Sequence, residues 1–141
     1  MPKETFKIPH ADAKSLMDAA TRSAQSHKVP GAIAIVDDNG NLILLESLDD
    51  TMCSASRIAM GKAATAAAFK RPTIDLEGVI LDGRIPMLTL DGATSEAYVP
   101  LKGGYPIRYK NELIGAIAVA GTMDAEMDEV VVLEALENSG W

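Results

Sequence analysis

The chain has little of what builds metal centres, disulfides and aromatic sites. Its 141 residues include one cysteine, Cys53, two histidines, His10 and His27, and 4% aromatics. A single cysteine excludes an internal disulfide and points to a reducing compartment. With no partner for a catalytic dyad in the sequence, Cys53 is expected to be a buried, inert thiol. No His/Cys cluster has the spacing of a structural zinc site, so no metal is expected. Positive charge is also scarce. Thirteen Lys and Arg face twenty Asp and Glu, for a formal net charge of −7. That balance excludes a general nucleic-acid footprint and weighs against an anionic membrane surface. No apolar run reaches the roughly 18 residues of a membrane-spanning helix. The opening Met1-Pro2-Lys3-Glu4-Thr5 lacks the charged-then-apolar pattern of a secretory signal. A soluble cytoplasmic protein is expected, with no P-loop and no dinucleotide fingerprint.

What is present suits one domain over residues 1–141, long enough to bury roughly two-thirds of its unfolded surface. With so few aromatics, the core must be aliphatic. Pro9 near a helix start and Asp12 in the first turn open a helix that Ala13, Leu16, Met17, Ala20 and Ala24 carry to about His27. Ala32–Asp37 and Leu42–Ser47 flank Asn39-Gly40, the strongest hairpin dipeptide. An alanine-rich helix follows from about Cys53 to Phe69, and alanine there allows close packing on a sheet. A short helix is expected over 73–81, with weaker strands at 86–90 and 98–101. A second hairpin joins 107–109 to 113–120 around Lys110-Asn111-Glu112, and a last helix runs from about Asp124 to Asn138. Hairpins give antiparallel sheets that helices cover, so the class is α+β.

The chemistry-bearing residues gather in three places. Gly103-Gly104 precedes Tyr105-Pro106-Ile107, and paired glycines expose backbone N–H donors to an anion or enolate oxygen, or simply make a positive-φ turn. Lys62 lies inside the alanine-rich helix. It reads either as a snorkelling lysine or as a point charge for a carboxylate or phosphate, and as a base if burial lowers its pKa. Asp128 and Glu129 stand near the start of the last helix, where carboxylates favour the positive helix end or serve as acid and base facing Lys62 or a neighbouring subunit's glycine loop. His10 and His27, at helix ends, are expected to be exposed. The methionines, Met52 and Met60 among them, fill core gaps or line a soft pocket.

Taken in order, Ala32–Asp37 with Gly40, Ile58-Ala59-Met60-Gly61-Lys62-Ala63-Ala64-Thr65-Ala66, Gly103-Gly104-Tyr105-Pro106-Ile107, Ile114–Gly121 and Asp128-Glu129 resemble the GlcG/HbpS-like, or haem-degrading domain, family over about residues 10–138. The resemblance implies a profilin-like fold, a central antiparallel β-sheet flanked by α-helices, and a homo-oligomer from dimer to octamer. It implies haem as a possible cofactor, since some members bind haem or help degrade it, while others lie in operons for small organic acids. Many members carry Arg-Met-Asp-Gly where this chain has Ser47-Leu48-Asp49-Asp50. Residues and resemblance together single out Lys62, Asp128 and Glu129 for catalysis. For ligand binding they single out Gly103, Gly104, Tyr105, Pro106 and Arg57. Two functions follow. One is a haem- or tetrapyrrole-binding or haem-degrading accessory protein. The other is an isomerase, tautomerase, hydratase or lyase acting on a small carboxylate-bearing ligand.

Overall fold

A computed structural model describes residues 1–94 and 96–141. The elements are α1 (His10–Ser26), β1 (Ala32–Asp37), β2 (Leu42–Ser47), α2 (Ala55–Phe69), α3 (Thr73–Leu81), a 3-10 helix (Ile85–Ala93), β3 (Gly104–Tyr109), β4 (Glu112–Ala120) and α4 (Ala125–Asn138). Four strands form one antiparallel sheet in the order β2-β1-β4-β3. This is the expected α+β class, a central antiparallel sheet flanked by helices.

Period-2 alternation in the central strands makes two unlike faces. Ile33, Ile35, Ile117 and Val119 point to one side, where they pack with Leu16, Met17, Val131 and Val132 of α1 and α4. Ala32, Ala34, Ala116, Ala118 and Ala120 point to the other, where they meet Ala55, Ala59, Ala63, Ala66 and Ala67 of α2. The large face holds two helices, and the small face holds one at close range. β3 is an edge strand, which accommodates Pro106 because a missing N–H there costs no ladder bond.

Four expectations need correction. Residues 86–90 lie in the 3-10 helix, and no residue of that helix is buried. Residues 98–101 are not a strand. Two of the amides go to side chains instead: Tyr98 N–H donates to Asp91 Oδ1 at 2.9 Å and Val99 N–H to Thr65 Oγ1 at 2.8 Å. β3 begins at Gly104 rather than residue 107, because Gly104 already pairs with Ala118 and the Gly103 carbonyl accepts from Val119 N–H at 2.9 Å. Cys53 is exposed in the turn before α2, so the expected burial of its thiol is also corrected.

Candidate functional site

Lys62 falls on the sheet-facing stripe of α2, three residues after Ala59 and four before Ala66, all buried. It is only 3% exposed. Its Nζ donates to Asp128 Oδ2 at 3.0 Å and to the Val119 carbonyl at 2.9 Å. Asp128 is held from the other side by Thr122, whose N–H donates at 3.2 Å and whose hydroxyl lies 2.5 Å from Oδ1. The snorkelling alternative is therefore corrected: this lysine is tied down at its charged end. An ammonium has three protons, and the two bonds above occupy two of them.

Glu129, also buried, faces the glycine loop. Gly103 N–H donates to Glu129 Oε1 at 2.6 Å, and the Tyr105 hydroxyl donates to Oε2. Gly104 N–H donates to Thr73 Oγ1 at 2.9 Å. The donors read as facing a ligand thus serve the chain's own side chains. Glycine is required at both positions. A Cβ on Gly103, at φ +117°, would lie 2.7 Å from the Val119 carbonyl oxygen, and one on Gly104 would lie 2.8 Å from that of Lys62. Asp128 and Glu129 also do not cap α4. Asp124 does so, accepting from Glu126 N–H at 3.0 Å. Both acids meet their partners within one chain, with no neighbouring subunit needed.

The Tyr105 phenol titrates well above its ordinary range. Burial raises its pKa first, then the hydrogen bond to Glu129, then the nearby carboxylate charges of Glu129 and Asp75. The neutral phenol is favoured in the fold, so its stabilisation is complete below the unfolded value of 10.0 and is lost as pH rises beyond it. Tyr105→Phe is expected to cost about 1.5–3 kcal/mol near neutral pH, since it strands one Glu129 oxygen. In urea unfolding at a series of pH values, the gap between wild type and variant should narrow above pH 10. A gap that stays constant there would refute the shifted phenol.

Beside this network lies a pocket of about 360 Å3. Lys62 and Asp128 line its buried end, and Met52, Ile58, Leu101 and Met123 line the rest with Lys102. Met123 is 80% exposed and Met52 46%. Lys102 pairs with Glu126, and the hydrogen bond to that carboxylate, ahead of its charge, raises the lysine's pKa. The structure thus brings together Lys62, Asp128, Glu129, Gly103, Gly104 and Tyr105. Pro106 sits in β3 behind Tyr105, and Arg57 is exposed on α2 outside the pocket lining. His27 Nε2 lies 2.8 Å from Glu134 Oε1, and His10 opens α1. Neither histidine lines the pocket. Met60 packs against the alanine-faced core as a gap filler. Thr73, Thr122 and Met123 escaped the sequence reading. Only Thr122, next to Gly121 at a strand end, carried any local signal. Among the described residues, no group of three or more His, Cys, Asp or Glu could hold a metal ion, and no helix is long and apolar enough to cross a membrane.

The family model described as haem degrading protein HbpS-like matches residues 8–137. Protein GlcG of Escherichia coli strain K12 is 33% identical over 108 residues, 77% of each chain. The crystal structure of a PduOC:heme complex superposes with a TM-score of 0.85 at 28% identity, over 94% of each chain. Protein ORFY of Klebsiella pneumoniae superposes with a TM-score of 0.89 at 24% identity, over 99% of this chain and 94% of that one, a likeness of fold.

Proposed function

Because this chain belongs to the HbpS-like family of haem-degrading proteins, we propose that it is a haem-binding accessory protein that takes the tetrapyrrole at the Met52–Met123 pocket. One observation carries this reading: two exposed thioethers flank one apolar pocket. Thioether sulfur is among the side-chain groups that hold haem iron. Ile58 and Leu101 offer apolar surface to a macrocycle, and the volume lies within the usual range of small-molecule sites. Lys102 offers a cation to a propionate. Its present partner, Glu126, is 71% exposed, and an exposed ion pair is weak, so exchanging that partner costs little. Bound haem would supply iron-centred redox and ligand chemistry. The chain supplies soft donors, apolar shelter and a counter-charge.

The enzyme reading would use Lys62, Asp128 and Glu129 to move a proton on a carboxylate-bearing ligand. It has less support. These groups are engaged with one another, with Thr122, with Tyr105 and with the backbone.

Titration with ferric and with ferrous haem, followed at the Soret band, tests the proposal. A saturable shift is expected. A Met52→Ala/Met123→Ala double variant is expected to bind at least about tenfold more weakly, as loss of an axial donor and its apolar contact implies. No Soret shift in either oxidation state would reject haem as the ligand. Unchanged affinity in the double variant would reject this pocket.

A further inference from the structure

A second pocket lies where the segment before α1 meets the β3–β4 hairpin and Trp141, three residues beyond α4. It encloses about 310 Å3, and Phe6, Tyr109, Trp141 and Asp12 are among its lining residues. The chain has only two Phe, one Trp and three Tyr, so half of its aromatics converge here. Phe6 and Tyr109 stand edge to face, their ring centroids 5.0 Å apart and their planes at 83°. Two near-perpendicular rings form a corner, and the indole adds a third aromatic surface.

These rings already attract positive charge. Lys110 Nζ sits 5.8 Å from the Phe6 centroid and 5.4 Å from that of Tyr109, within the range of cation–π attraction. The charges around the pocket agree with this. Lys7 lines it, but its ammonium is held 2.7 Å from Asp38 Oδ1. Asp12 has no salt-bridge partner among the described residues. Lys110, also without a salt-bridge partner among the described residues, is the rings' present cation, and an organic cation would take its place beside the Asp12 carboxylate. A metal ion would find too few oxygen ligands there. An inorganic anion would meet an unpaired carboxylate.

We propose that the pocket of Phe6, Tyr109, Trp141 and Asp12 binds a small organic cation of the quaternary-ammonium class. The large, weakly hydrated charge of such a group suits ring faces better than a primary ammonium does. This site is separate from the Met52–Met123 pocket and does not rest on the haem reading.

Trp141 is the only tryptophan, so its emission reports on this pocket alone. Emission is titrated with choline chloride, against sodium chloride at matched ionic strength and against the uncharged isostere 3,3-dimethylbutanol. The expected result is a saturable change with choline and binding of the isostere at least about fivefold weaker, the scale of a cation–π contribution. Asp12 is exposed, so Asp12→Asn should fold normally and weaken choline about threefold or more. Three outcomes would each overturn the proposal: no saturable response to choline beyond the salt control, equal binding of the isostere, or undiminished binding by Asp12→Asn with a native circular-dichroism spectrum.

Discussion

Lys62→Met is expected to lower the unfolding free energy by about 3–5 kcal/mol, read from urea denaturation at neutral pH. The volume of the side chain is nearly kept, so the loss is electrostatic rather than a cavity. Two groups are stranded. The Asp128 carboxylate loses the one cation paired with it among the described residues, and the Val119 carbonyl loses the ammonium at 2.9 Å. Thr122 still donates to Asp128, which keeps the loss within that range rather than above it. Replacing both partners, as Lys62→Met/Asp128→Leu, should recover much of the loss, because an apolar pair of similar size no longer leaves a charge without water. The cycle of two single variants and one double variant measures the coupling directly. A single-variant loss below about 1 kcal/mol would mean that the pair behaves like an exposed one and does not hold α2 to α4.

Gly103→Ala should be comparably damaging, at about 3–5 kcal/mol. Two costs combine. The residue sits at φ +117°, where an L side chain is strained, for about 1–3 kcal/mol. The new methyl would also meet the Val119 carbonyl oxygen at 2.7 Å and Lys62 Nζ at 2.9 Å. Relieving that overlap costs about another 1–3 kcal/mol, because any shift pulls the Gly103 N–H off Glu129 and the Gly103 carbonyl off Val119. Gly78→Ala provides the contrast. Nothing lies within 4 Å of the added carbon, and the position is inside α3, so a gain of up to about 1 kcal/mol is expected from helix propensity. If thermal unfolding shows Gly103→Ala as harmless as Gly78→Ala, the loop is not clamped as described.

Much of this fold was legible because its signals are local. Helical spacing marked α1 and α2, and Asn39-Gly40 marked the first hairpin. The stretches 86–90 and 98–101 were not legible. Their apolar residues invited strands, but the first forms a 3-10 helix and Asp91 and Thr65 take the Tyr98 and Val99 amides of the second. A side chain 34 residues away leaves no local mark. The site was half legible for the same reason. Ala59, Lys62, Ala63 and Ala66 share one stripe, so burial of Lys62 could be read from spacing. Asp128 could be read as an acid facing it, but the second partner could not, because Val119 contributes only a backbone carbonyl. The two acids of α4 looked like capping residues until Asp124 proved to fill that role.

The two faces of the sheet have a consequence for how such a chain can vary. On the side of α1 and α4, Ile, Val and Leu can exchange with modest repacking, since one methylene more or less changes a contact and not a distance between layers. On the side of α2, methyl groups meet methyl groups. An added carbon there has no side chain to displace, only a whole helix to push away. That helix carries Lys62, so a substitution such as Ala118→Val alters the reach of the ammonium to Asp128. The alanine layer therefore acts as a gauge block. Its thickness sets the position of a charge, and a larger side chain at those alanines would move it.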